Sequence, residues 1–226
     1  VNLTDEQQMM VDSARDFLGD ACPLATVRDW EKLPDRYPRE IWARMAEMGW
    51  TGAIYPEAFG GLGLTNLDMA LLMREMGRVA LPSPILSTVL LAGRAILAGG
   101  SEAQKQGLLP KIAAGEVLLS FALTEASARP DAATVRTSAR AVGDGYVLNG
   151  TKHFVEFAEQ AGQTLVVART SASAAGQPRP PTPTINALLS ASKLESVLKV
   201  LIEAEVAFSG VAQHGHHVGS RPELPG

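Results

Sequence analysis

The residues with the clearest chemical potential lie at the end of an apolar run, where residues 117–124 lead from Val117 to Thr124 and then Glu125. A hydroxyl and free backbone amides at a strand end can hydrogen-bond a flat heteroaromatic ring, while apolar neighbours exclude water from its face. Such a site binds a cofactor that supplies the reactive chemistry itself. This interpretation fits a sequence that has no GxSxG, HExxH or phosphate-loop motif.

The histidines suggest a second chemistry, because imidazole is a common metal ligand. His214, His216 and His217 lie close together, but glycine-spaced histidines in an aperiodic stretch make a poor preorganised site. His153 lies in a strand-like stretch, where a packed or edge residue is the simpler interpretation. The sequence spacing also pairs none of the acidic residues near the strands. We therefore assign no metal ligand and no catalytic residue.

The composition limits the partners and the compartment. The 226 residues are 46% hydrophobic and carry a net charge of -4, so no positive field would attract nucleic acid. No apolar run reaches the ~18 residues of a membrane helix, and the start of the chain lacks a signal-peptide pattern. We expect neither nucleic acid nor membrane as a partner. The single cysteine, Cys22, is expected to be buried and fits a reducing, cytoplasmic setting.

The first half of the sequence has the periodicity and the capping residues of helices. Helices are predicted from Thr4 to the residue before Pro23, from Arg39 to Gly49, from Thr65 to Met76, from Ser87 to Ala98, and from Ser101 across Pro110. Gln7 and Gln104 complete capping boxes with Thr4 and Ser101. Pro110 is expected to shorten or kink the last helix. The glycines of the loop at 55–65 are expected to permit positive φ angles and close backbone approach.

The second half has the patterns of strands. Strands are predicted at 117–124, 135–142 and 164–170, with a turn at 143–145 leading into a further strand at 146–150. Helices followed by strands indicate an α+β protein. We predict an all-α domain at 1–116 and a small antiparallel β-barrel-like domain at 117–226, with a flexible loop at 171–184 and an irregular tail at 212–226. Residues 194–202 have helical spacing, whereas 204–211 alternate like a strand.

Several stretches resemble the acyl-CoA dehydrogenases, in the order in which that family has them. The loop YPEAFGGLGLT is similar to the family's PExxGGxG loop. The stretch ALTEASARPD resembles its flavin motif LTEPxAGSD, and GDGYVLNGTKHFV resembles the hairpin GDxYxLNGxK. The resemblance extends over nearly the whole chain and implies a helical domain followed by a β domain that carries FAD.

The resemblance also implies roles for individual residues. Carried over by position, the cofactor-binding residues are Phe121, Leu123, Thr124, Phe154 and Glu156. In this scheme Thr124 hydrogen-bonds the flavin, Phe154 covers one of its faces, and Glu156 takes the place of a threonine that reaches flavin N5. Pro130 takes a substrate-binding position where the family has a serine.

The family continues into a C-terminal helical bundle that carries the proton-removing glutamate, and the resemblance implies that this chain stops before it. One hypothesis is therefore an FAD-dependent acyl-CoA dehydrogenase, truncated before the domain of the catalytic base. A second is a non-catalytic subunit that completes a flavin site in a heteromeric relative. A third is a degraded product without function. The resemblance implies an acyl-CoA substrate and homo- or hetero-oligomers with family members.

Overall fold

The computed structural model describes residues 2–30, 32–126, 135–142 and 145–169. Within these ranges the helices come first and the strands second, which confirms the predicted α+β order. The α-helices are α1 (Asp5–Ala21), α2 (Leu24–Trp30), α3 (Arg39–Glu47), α4 (Asn66–Arg78), α5 (Arg94–Gly99) and α6 (Glu102–Ala113), and a π-helix (Ile85–Gly93) precedes α5. The strands are β1 (Leu119–Ala122), β2 (Ser138–Val142), β3 (Gly145–Asn149) and β4 (Gln163–Val166).

Some predictions fall on residues outside these ranges. They are the loop at 171–184, the ambiguous segment at 194–211, the histidine-containing tail at 212–226 and most of the turn at 143–145. The boundary between residues 116 and 117 stays a prediction.

Side-chain caps begin three of the described helices, as the sequence predicts. The Thr4 hydroxyl accepts the N–H of Gln7 at 3.2 Å, and the Gln7 side chain accepts the N–H of Thr4 at 3.1 Å. Ser101 and Gln104 form the same reciprocal box at the start of α6, and a third box begins α4 at Thr65. Each box satisfies backbone amides that have no partner inside the helix.

The apolar stretch predicted as one helix from Ser87 to Ala98 is helical throughout, as the π-helix followed directly by α5. The Tyr55 hydroxyl donates to the Val89 carbonyl of the π-helix at 3.0 Å. A Cβ at Gly93 would lie 1.8 Å from that hydroxyl, so the glycine is needed for the tyrosine to fit. The helix is therefore confirmed, and its π-helical part is the feature that the sequence does not indicate, because the buried tyrosine bonded to it comes from a distant loop.

Helix α6 passes through Pro110 and ends at Ala113, so the helix is not cut short at this proline, and the alternative of a kink stays a prediction. Pro110 lacks a backbone donor but keeps its carbonyl, which accepts the N–H of Ala114 at 2.9 Å. Gly115 then follows with a φ of 72°, a left-handed conformation typical of a helix end. A proline in the last turn therefore costs one hydrogen bond without ending the helix early.

One hydrophobic core joins the helices to β1 and β4. Leu119 of β1 and Leu165 of β4 are buried in the same cluster as the helix side chains. The Thr88 hydroxyl of the π-helix donates to the Leu119 carbonyl at 2.8 Å and accepts the Leu119 N–H at 3.1 Å. These bonds fix the start of β1 against the helices. Cys22 is also buried, as predicted.

The glycine-rich loop at 55–65 needs its glycines for two reasons. Gly60 and Gly63 have φ angles of 76° and 63°, which confirms the predicted left-handed positions. At Gly61 the need is for space, because a Cβ would lie 2.0 Å from the carbonyl oxygen of Tyr55 and 2.6 Å from that of Gly52. Gly61 therefore lies against neighbouring backbone so closely that no side chain fits at this position.

The sheet differs from the prediction of an antiparallel barrel-like domain. Strands β2 and β3 form the expected antiparallel hairpin, but β1 pairs with β4 in parallel, with Phe121 opposite Leu165. An isolated parallel bridge joins Ser138 to Arg169. Among the described residues the strands form two separate pairs and no closed sheet. An alternating pattern indicates a strand but not which strand it pairs with or in which direction. A parallel pair needs a long connection between its strands, and only the folded chain shows that β1 and β4 pair across one.

Candidate functional site

A buried ion pair lies at the end of β1. The Glu125 carboxylate lies 2.8 Å from the Lys152 ammonium, and the two side chains are 8% and 5% exposed. Lys152 also donates to the Leu123 carbonyl at 3.1 Å. Glu125 accepts the Thr137 hydroxyl at 2.6 Å and the backbone N–H groups of Arg136 and Thr137 at 2.7 and 2.8 Å. Both buried charges are thus paired and hydrogen-bonded, which is the condition for burying them.

The Glu125 carboxyl stays ionised at neutral pH. Burial raises its pKa, but the hydrogen bonds from the Lys152 and Thr137 side chains and from the backbone of Thr137 and Arg136 outweigh burial and hold the pKa at about 2. A carboxylate with so low a pKa and with its oxygens occupied is a poor proton acceptor. Its role is to fix the segment around Lys152 to the end of β1.

We expect this pair to make stability depend on pH. The Glu125 pKa is about 2 in the folded chain against an ordinary value of 4.5, so the unfolded chain binds the proton first as the pH falls. The contribution is present above about pH 4.5 and is lost as the pH falls to about 2, by roughly 3 kcal/mol in total. Urea titrations across this window measure it as the difference between the wild type and Glu125→Gln. Equal pH slopes in the two proteins would contradict the assignment.

Thr124 and Phe154 lie on two neighbouring segments of backbone. The N–H of His153, the residue before Phe154, donates to the Thr124 carbonyl at 2.9 Å. Thr124 is partly buried, whereas His153 is exposed. The structure therefore brings together the segments of two residues that the sequence predicts at the cofactor site.

The Phe154 ring is exposed to an unusual degree. It is 92% accessible, the largest value among the exposed large hydrophobic side chains of the described residues. Its φ of 54° is in the left-handed region, which costs a non-glycine residue about 1–2 kcal/mol. The His153 ring lies 6.3 Å away, tilted by 48°. A non-glycine residue in this backbone conformation persists only where its surroundings constrain it.

The other predicted residues have different surroundings. Phe121 is partly buried and packs against the hydrophobic core, and Leu123 is partly buried, with its carbonyl bonded to Lys152. Glu156 is exposed. Pro130 lies outside the described residues.

The Glu125–Lys152 pair was missed by the sequence analysis. The partners lie 27 residues apart, and nothing local in the sequence links them. The one signal in the sequence is that the acid follows the predicted strand at 117–124 and the lysine follows the predicted strand at 146–150. That signal does not show that the two strand ends meet, because β1 and β3 belong to different strand pairs.

Two further features of the described residues bear on metals and membranes. No group of three or more histidine, cysteine, aspartate or glutamate side chains there is arranged to hold a metal ion. The helices of this part of the chain are all too short or too polar to cross a membrane.

Helices followed by two small strand pairs define an α+β protein. The buried ion pair of Glu125 and Lys152, called the clasp below, lies at the end of its first strand. The chain belongs to the acyl-CoA dehydrogenase family. Residues 4–116 match the family's profile "Acyl-CoA dehydrogenase, N-terminal domain", and residues 120–189 match "Acyl-CoA dehydrogenase, middle domain". Its relatives include both reductases and dehydrogenases.

Three known proteins illustrate the likeness. The acryloyl-CoA reductase (NADH) of Anaerotignum propionicum is 38% identical over 173 residues, which is 75% of this chain and 43% of the relative. The ChsE4-ChsE5 complex of Mycobacterium tuberculosis matches with a TM-score of 0.68 and 28% identity, over 78% of this chain and 45% of that one. The Bacillus anthracis acyl-CoA dehydrogenase solved with FAD matches with a TM-score of 0.65 and 29% identity, over 74% and 29%. The chain thus spans less than half the length of these relatives.

Proposed function

We propose that the chain is the FAD-binding portion of an oxidoreductase that acts on an acyl-CoA thioester. The observation that carries the proposal is the exposed ring of Phe154, joined through the His153–Thr124 hydrogen bond to a strand end with a partly exposed hydroxyl residue. The related Bacillus anthracis protein was solved with FAD, which supports this choice of cofactor.

The residues present fit a flat, partly polar ring. Phe154 offers an apolar face that no described neighbour covers, and the hydroxyl of Thr124 is a donor of the kind that a flavin carbonyl or ring nitrogen accepts. Lys152 and Glu125 form an ion pair with each other, so neither leaves an unpaired charge beside a bound flavin ring. We assign the cofactor contacts to Phe121, Leu123, Thr124, Phe154 and Glu156, and a substrate contact to Pro130, as proposals.

When bound, FAD would supply the redox chemistry at the α,β carbons of the thioester. The contribution of this chain is to bind and orient. Thr124 donates a hydrogen bond, Phe154 excludes water from one face, and the clasp between Glu125 and Lys152 holds both segments in register. Glu125 is not assigned as the base that removes the α-proton, because the hydrogen bonds to its oxygens hold its pKa at about 2 and make it a poor proton acceptor.

Replacing Thr124 with valine is expected to weaken FAD binding two- to tenfold, roughly, because one net hydrogen bond contributes about 0.5–1.5 kcal/mol. The shape of the side chain is kept and only the hydroxyl is lost. Flavin fluorescence quenching on titration with the purified chain measures the affinity. The matched control is Thr26→Val in α2, which removes a hydroxyl far from the predicted site in the sequence and should leave the affinity unchanged. Equal affinities for wild type and Thr124→Val would remove Thr124 from the site.

The proposed function itself is tested by reconstitution. The purified chain is incubated with FAD and freed of excess ligand, and the flavin absorbance is then followed while an acyl-CoA is added. Retained absorbance supports cofactor binding, and bleaching by the thioester supports turnover by this chain. A protein that is colourless after incubation with saturating FAD and removal of the free ligand would contradict the proposal.

A second candidate is a subunit that completes a flavin site together with a family member. A specific observation favours it: the ChsE4-ChsE5 relative was solved as a complex of two named proteins. Retained FAD without bleaching, followed by bleaching when a full-length relative is added, would favour this candidate over turnover by the chain alone.

A further inference from the structure

The segment that carries Phe154 is fixed at its first end to the strand end. Lys152 bonds to Glu125 at 2.8 Å and to the Leu123 carbonyl at 3.1 Å. One residue later, the N–H of His153 bonds to the Thr124 carbonyl at 2.9 Å. Three hydrogen bonds thus fix residues 152 and 153 before the chain reaches the exposed ring.

The second end of the segment is fixed by an aromatic contact to the helical half. The rings of Phe157 and Tyr37 meet edge to face, with centroids 5.9 Å apart and planes at 90°. Tyr37 is buried and belongs to the core, and Phe157 packs against that core. The Phe157 carbonyl accepts the N–H groups of Gln160 and Ala161, which continue the chain toward β4.

Two residues of this short segment have left-handed backbone. Phe154 has a φ of 54° and Phe157 a φ of 53°. Neither is a glycine, so both conformations persist only where the surroundings over-determine them. The anchors on either side of Phe154 supply that constraint, because they fix residues 152 and 157 to parts of the chain that lie far apart in sequence.

We infer that Tyr37 and Phe157 are positioning residues, which hold the segment 152–157 in the conformation that presents the Phe154 ring. The inference rests on the proposed function for the ligand that the ring receives, a planar heteroaromatic cofactor. The sequence patterns assign no role to Tyr37, because it lies in the helical half, far in sequence from the predicted cofactor residues. The edge-to-face contact with Phe157 gives Tyr37 a role, because a segment without this contact would be more mobile. Ordering that segment when the ligand binds would then cost binding free energy.

Limited proteolysis of the full chain tests the anchor without any cofactor. Chymotrypsin cleaves after exposed phenylalanines, and cutting after Phe154 requires the segment to open. Tyr37→Leu and Phe157→Leu are each expected to speed the appearance of the fragment that begins at Val155 by about two- to tenfold. Tyr37→Phe keeps the ring and should cleave like the wild type. Ile41→Val, a core change in α3, controls for a general loss of stability and should leave this cleavage site as protected as before.

A titration of the same variants with FAD completes the test. Weaker FAD binding in both leucine variants, by about the factor seen in proteolysis, and wild-type binding in Tyr37→Phe support the inference. Faster cleavage with unchanged FAD affinity would overturn it, as would unchanged cleavage in folded leucine variants. A wild-type chain that binds no FAD would contradict the proposed function, and proteolysis would then decide the anchor by itself. If Tyr37→Leu does not fold, Phe157→Leu alone decides, because Phe157 is only partly buried.

Discussion

The Glu125→Gln chain is expected to lose about 3–5 kcal/mol of its free energy of unfolding at pH 7. The amide keeps the shape of the side chain but removes the charge that Lys152 needs, and the lysine is then left buried without its counterion. The amide N–H₂ group would also face donors, since the backbone of Arg136 and of Thr137 points into the same site. Urea denaturation followed by circular dichroism measures the change.

The matched control is an ion pair with nearly the same distance and very different burial. Asp29 and Lys32 lie 2.7 Å apart, with side chains 70% and 77% exposed. Asp29→Asn removes a charge in the same way but leaves both groups in water, so its effect should stay below roughly 0.5 kcal/mol. If the two variants cost the same, burial would not be the reason for the importance of Glu125.

The Gly61→Ala chain is expected to lose more than about 3 kcal/mol, or to yield no folded protein. The added methyl would lie 2.0 Å from the Tyr55 carbonyl oxygen and 2.6 Å from that of Gly52. Both obstacles are backbone atoms, so no rotamer change can relieve the overlap, and the whole loop at 55–65 would have to move. Thermal unfolding and the yield of soluble protein measure the effect.

The same substitution at Gly77 should raise the free energy of unfolding instead of lowering it. Gly77 lies inside α4, and nothing lies within 4 Å of the place where its Cβ would be. Alanine there is expected to raise the free energy of unfolding by about 0.5–1 kcal/mol, since it reduces the freedom of the unfolded chain. A loss at Gly77 comparable to that at Gly61 would mean that close approach is not what distinguishes the two positions.

The features that could be predicted are those encoded locally. The capping boxes at Thr4 and Ser101 follow from residues three positions apart, and the φ angles of Gly60 and Gly63 follow from glycines in a loop. Family motifs predict Thr124 and Phe154 at one cofactor site. The His153–Thr124 hydrogen bond brings their backbone segments together, and the site itself stays a prediction.

The features that could not be predicted join distant parts of the chain. The parallel pairing of β1 with β4 depends on which strand ends meet after folding, and an alternating pattern is the same for either direction. The Val89 carbonyl of the π-helix accepts a hydrogen bond from the Tyr55 hydroxyl, which comes from another loop. The Glu125–Lys152 clasp joins two strand ends, each of which is unremarkable in the sequence.

The contact between Thr88 and Leu119 has a consequence for any attempt to divide the chain. The family's two matched regions abut near residues 116–120, yet the hydroxyl of Thr88 bridges both backbone groups of Leu119 across that junction. A cut at the junction would separate Leu119 and Leu165 from the core that they complete. The separated helical piece would expose apolar side chains to water. We therefore expect the helices, β1 and β4 to unfold in one transition, although the two family profiles match separate parts of the chain.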